Sequence, residues 1–144
     1  MIGHALAAAV GTVAFALLFD VPSRYFALCG AIGGAGFLVY LLGAAAGLSP
    51  AEATFFATVF IMLASRFSAV WRRCPVTVFL IAGIIPLVPG AGIYWTAYYL
   101  VVGETAAALE SGFAAIRAAI AIVLGIVVVF ELPNKLFHIR LRKG

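Results

Sequence analysis

The sequence predicts an all-α fold: a polytopic helical membrane protein with about five transmembrane helices, the fourth broken at Pro86–Gly90. The expectation rests on composition, on the length of the apolar runs and on where the charges fall. Of 144 residues, 66% are apolar and only 10% charged, whereas a soluble surface needs roughly 25% charged residues to face water. Apolar runs recur at about the 20 residues that cross a ~30 Å hydrocarbon core. The charges collect mainly in short segments between those runs.

The first run, Ile2 to Phe19, ends at the polar turn Asp20-Val21-Pro22-Ser23-Arg24. No positive segment precedes it, so it reads as a retained helix rather than a cleaved signal. The second, Tyr25 to Gly47, carries no charge. Leu48-Ser49-Pro50-Ala51-Glu52 then begins a third helix, with Ser49 as N-cap, Pro50 at the first helical position and Glu52 placed for a capping box. This helix runs from Ala51 to about Val70 and holds Arg66 near its end, where a long stem can snorkel toward the interface. After Trp71-Arg72-Arg73-Cys74-Pro75 a fourth run, Val76 to Gly103, is interrupted by Pro86-Leu87-Val88-Pro89-Gly90. The last run, Ser111 to Phe130, carries Arg117, and a basic tail (132–144) follows the membrane domain (1–131).

A net charge of +4 could serve nucleic acid, anionic lipid or orientation, and placement decides among them. Arg24, the pair Arg72 and Arg73, and the tail bases Lys135, Arg140, Arg142 and Lys143 alternate along the chain with segments holding Glu52, Glu104 and Glu110. The positive-inside rule then predicts a bacterial inner-membrane protein with its N-terminus outside and its C-terminus cytoplasmic. No basic stripe with interleaved aromatics offers a nucleic-acid surface. Cys29 and Cys74 fit no zinc or CxxC spacing and read as reduced thiols. No metal or cofactor is expected. No nucleophile with a base and no pair of carboxylates shares a plausible site, so catalysis finds no support.

Small residues four apart, Gly30 with Gly34, Gly43 with Gly47, and Ala121 with Gly125, let helix backbones approach closely. Their partner is either another helix of this chain or a second chain. The Pro86–Gly90 segment is the strongest local feature. Each proline removes a donor and blocks an earlier carbonyl, and Gly90 is expected to permit a tight backbone turn. The flanks are each too short to span, so they read as half-helices meeting near the midplane, where freed backbone groups need protein or a watery cavity. A half-helix starting after Gly90 would aim its positive dipole end at an anion such as a carboxylate; a plain proline kink is the other reading.

Tyr94, Trp95, Thr96, Tyr98 and Tyr99 follow the break. They form either an interfacial belt or, through Thr96 and one of the tyrosines, Tyr94 or Tyr98, part of a substrate site. Arg117 is costly inside a membrane helix. It pairs with Glu110 or Glu104, holds a substrate carboxylate through its fork of donors, or snorkels. Glu104 and Glu110 are the carboxylates offered for proton coupling.

The order of these features, from Phe19-Asp20-Val21-Pro22-Ser23-Arg24 through the glycine-rich second run to Ile85-Pro86-Leu87-Val88-Pro89-Gly90-Ala91-Gly92-Ile93-Tyr94, resembles the small subunit of the threonine/serine exporter family. The resemblance spans nearly the whole chain, and its most specific part is Pro-x-x-Pro-Gly. It implies proton-driven export of threonine and serine, or of dicarboxylates such as succinate, in company with a larger membrane subunit. A homo-oligomer also stays open. Pro86, Pro89 and Gly90 are the positions it carries over; Arg117 and the tyrosines rest on their own chemistry. A subunit that stabilises a larger membrane protein without transporting anything is the competing reading.

Overall fold

In a computed structural model, residues 1–133 are described, and they form helices joined by short turns, with no strand among them. The helices are α1 (Ile2–Leu18), α2 (Phe26–Ala45, entered through a 3₁₀ turn at Ser23–Tyr25), α3 (Pro50–Arg72), α4 (Thr77–Ile84, leaving through a 3₁₀ turn at Ile85–Leu87), α5 (Gly90–Val102) and α6 (Thr105–Phe130). Three helical stretches, Ser23–Ala45, Pro50–Arg72 and Thr105–Phe130, are long and apolar enough to cross a membrane by themselves. Thr77–Leu87 and Gly90–Val102 together make a fourth candidate, bent by 47°. α1, at 17 residues, is shorter, so length and composition give three to four crossings rather than five. The sequence-based bases Lys135, Arg140, Arg142 and Lys143 lie outside the described residues.

Helix ends explain much of this layout. α1, α2, α3 and α5 each finish on a residue with left-handed backbone, Asp20, Gly47, Arg73 and Gly103. In each case the following N–H reaches back to an orphan carbonyl, as in Val21 N–H to Ala16 O (3.0 Å), Leu48 to Gly43 (3.1 Å), Cys74 to Ala69 (3.1 Å) and Glu104 to Tyr99 (2.9 Å). Gly47 is therefore a helix stop rather than a packing residue, because the left-handed cap needs it there (φ 88°). α3 begins with the full capping box: Ser49 Oγ accepts from Glu52 N–H (3.3 Å) and Glu52 Oε2 from Ser49 N–H (2.8 Å). α6 starts at Thr105, earlier than the Ser111 read from sequence. The alanine-rich stretch after Glu104 favours helix, which places Glu110 within the helix rather than in a loop.

Packing is set by small residues. A Cβ added at Gly33 would collide with the Thr12 side chain, one at Gly36 with Ile61, one at Gly34 would stand 2.9 Å from Ala9 Cβ, and one at Gly30 2.8 Å from Val13 Cγ2. Gly43 faces Ala53, and Gly125 faces Thr58 and the Phe55 carbonyl. Close backbone approach of this kind is how helices associate in lipid. Tyr25, Cys29, Ile32, Ile61, Phe79 and Ala82 fill the centre between α2, α3 and α4, with the Tyr25 and Phe79 rings edge to face at 5.4 Å.

These pairings also fix directions. Gly30 and Gly34 meet residues 13 and 9 in turn, so α1 and α2 are antiparallel. Gly36 with Ile61 and Gly43 with Ala53 make α2 and α3 antiparallel. Gly125 lies beside Thr58, and Arg66 donates to the carbonyls of Val129 and of Leu132 (3.1 Å); α3 and α6 therefore run parallel. Parallel neighbours require the chain between them to travel from one end of the bundle to the other. α4 and α5 together make that passage. Arg24, Arg72 and Arg73 consequently gather at one end, and Glu52, Glu104 and Glu110 toward the other.

Candidate functional site: the broken helix and its surroundings

α4 is held tightly until its last turn. Gly83 faces Ile32 and Ile61, near the middles of α2 and α3, and Leu87 is buried against the core. Pro86 then denies the helix a donor, and the chain tightens into the 3₁₀ turn, closed by Val88 N–H to Ile85 O (3.1 Å). Pro89 (φ −76°, ψ 51°) forms an inverse γ-turn, with Gly90 N–H donating to Val88 O at 2.7 Å. The break is thus made by the prolines. Gly90 itself does not adopt a positive φ, contrary to the turn-forming role expected of it, because Pro89 has already turned the chain.

What distinguishes Gly90 is space. A Cβ there would meet nothing within 4 Å. It opens α5, where the Gly90 N–H is spent on Val88 O, the Ala91 and Gly92 N–H groups have no earlier turn to bond to, and no side chain caps the start. Val88 and Gly90 are exposed while Pro86 and Pro89 are half-buried. A 13-residue helix thus presents an uncapped N-terminus to an open face of the chain.

α5 is the least covered helix, with no fully buried residue. It leans mainly on α6, Gly92 against Ala115 and Thr96 against Gly112. Thr96 donates its hydroxyl proton to Gly92 O at 2.7 Å. Tyr94, Trp95 and Tyr98 are exposed and stack among themselves and Tyr99, ring to ring at 5.3–6.5 Å. They point away from the body of this chain.

Arg117 stands elsewhere. It lines an open groove of about 600 Å³ between α6 and the start of α3, with Leu48, Glu52, Phe55, Phe56 and Leu124. No residue of the Pro86–Gly90 break lines that groove. Glu104 is the N-cap of α6 and Glu110 is exposed on its first half; Arg117 makes no ion pair with either among the described residues. The structure therefore brings Pro86, Pro89 and Gly90 together, sets Tyr94, Thr96 and Tyr98 on the next helix, and separates Arg117 from both groups. Sequence reasoning missed Arg66 as a tether of the α6 C-terminus; its position inside an apolar run was the available signal. Among the described residues no cluster of His, Cys, Asp and Glu forms that could hold a metal ion.

A bundle of apolar helices, a proline-broken candidate crossing and an open half-helix start define a polytopic membrane protein of the transporter type. The family comparison makes this specific. The family described as Threonine/Serine exporter, ThrE matches residues 4–131, and the chain belongs to that family of exporters. No solved structure matches it.

Proposed function

We propose that this chain is the small subunit of a secondary exporter of threonine, serine or similar carboxylate-bearing metabolites, completed by a larger membrane subunit. The observation that carries the reading is the open start of α5 at the Pro86–Gly90 break. An uncapped helix N-terminus favours an anion, and a substrate carboxylate supplies one. Tyr94 and Tyr98, turned outward beside it, would meet the same substrate only across a surface that this chain leaves open, so the second subunit closes the path. Thr96, whose hydroxyl is engaged with Gly92 O, contributes mainly the α5–α6 contact.

In this reading the chain crosses five times, α1 included, with the end bearing Arg24, Arg72 and Arg73 in the cytoplasm of a bacterial cell. Glu104 and Glu110, exposed toward the opposite end, are the groups we offer for taking up protons that drive exchange. Dicarboxylates such as succinate share the chemistry that the half-helix start selects and remain the second substrate class. Export measured with labelled threonine, serine and succinate in vesicles, with each subunit alone and with both, tests the proposal. Full efflux from the larger subunit alone would reduce this chain to a stabilising role.

A further inference from the structure

α6 (Thr105–Phe130) is long and apolar enough to cross a membrane, and Arg117 stands 12 residues after its start and 13 before its end. A crossing takes about 20 residues. Wherever a stretch of that length is drawn within α6, Arg117 lies at least about six residues, or ~9 Å, inside it. A charge carried inside a spanning helix pairs with a partner or faces water. This chain supplies no such partner: Arg117 is exposed and makes no ion pair among the described residues. Glu52, in the same groove, is held in the cap of α3 by the Ser49 N–H (2.8 Å). Glu110 sits seven residues earlier on α6, about two turns away.

The groove around Arg117 has the form of a helix seat. Parallel α3 and α6 each contribute residues three and four apart, Glu52, Phe55 and Phe56 from one and Arg117, Ile120 and Leu124 from the other. From 117 to 124 the row covers about 10 Å, two helical turns. Phe56, Ile120 and Leu124 are exposed, so this chain leaves the walls uncovered. A helix laid along such a groove meets it with residues at i, i+3, i+4 and i+7. A lipid tail fills the apolar length but brings no anion to this depth, and a free amino acid brings the anion without the apolar length. A helix carrying Asp or Glu brings both. The groove is also distinct from the surface beside the break. Ala115 faces Gly92 of α5, and Arg117, two positions on, lies about 200° round α6 from it.

We infer that this groove seats a transmembrane helix of the larger subunit, with a carboxylate of that helix paired to the Arg117 fork. The inference rests on the two-subunit reading above and adds a second contact to the one beside α5. Its test reads assembly rather than transport. The full chain is co-expressed with the larger subunit, and the pair is recovered in mild detergent through a tag on this chain. Arg117→Gln lowers recovery of the larger subunit about tenfold, the loss of one charge-assisted pair. Arg117→Glu lowers it further, and replacing one intramembrane Asp or Glu of the larger subunit by Arg restores it. Leu124→Trp fills the groove and lowers recovery with the arginine intact. A photo-crosslinking residue at 56 or at 124 joins the larger subunit in the membrane, which reports the contact in a chain whose arginine is untouched and so guards against misfolding of the charge variants. Crosslinking only to lipid or to a second copy of this chain overturns the inference, as does recovery unchanged by both Arg117→Glu and Leu124→Trp. Absence of any complex with the wild-type chain overturns the two-subunit reading itself, and the inference with it.

Discussion

Arg73 ends α3 with φ 54°, a left-handed conformation that costs a residue with a Cβ roughly 1–2 kcal/mol. Arg73→Gly should therefore raise the unfolding midpoint of the detergent-solubilised protein, with a gain of about 1 kcal/mol; a lower midpoint would show that its charge matters more than its backbone. Gly33 supplies the opposite case. A Cβ there collides with Thr12, while one at Gly11 meets nothing within 4 Å. Gly33→Ala is expected to cost about 1–3 kcal/mol through overpacking, and Gly11→Ala, mid-helix with room for the methyl, should raise the midpoint by about 0.5–1 kcal/mol. Arg66 anchors the far end of α6 through the carbonyls of Val129 and Leu132. Arg66→Met should accelerate amide exchange in the last turn of α6 ahead of the rest of that helix, since the stem still packs but the donors are gone.

The broken crossing is the element on which the account turns. Parallel α3 and α6 require α4 and α5 to pass between opposite ends of the bundle, which a re-entrant loop would not do. In a background of Cys29→Ala and Cys74→Ser, single cysteines at 73 and at 105 should react with an impermeant maleimide from opposite faces of sealed vesicles. Labelling from the same face would make the pair re-entrant. Pro89→Ala combined with Gly90→Ala should straighten the passage and close the open start of α5, abolishing export while the protein remains in the membrane. The existence of this break was legible in Pro86-Leu87-Val88-Pro89-Gly90, because proline acts locally. So were the capping box at Ser49 and Glu52 and the turn after Phe19. The early start of α6 was not, since Glu110 looks like loop polarity in an otherwise apolar chain. Nor was the setting of Arg117. Helices bathed in lipid are apolar all round, so periodicity does not reveal which face meets which neighbour, and only the glycine contacts settle the register.

Taken whole, the chain is a body of α1 to α4 with the second half of α6, from which α5 and the first half of α6 stand out as a hairpin. By register, residues 105–116 extend about 18 Å beyond the start of α3. That hairpin exposes Ile93, Tyr94, Trp95, Leu100, Val101, Leu109 and Phe113, an apolar surface for lipid or another chain to cover. Beside it lies the open start of α5. The chain belongs to the threonine/serine exporter family over residues 4–131, and in the proposed function a second subunit covers this hairpin. The direct test is efflux of labelled threonine from vesicles containing this chain, the larger subunit, or both. The account predicts efflux from the pair only, lost again when the pair carries Pro89→Ala with Gly90→Ala. Equal efflux from the larger subunit alone would contradict it.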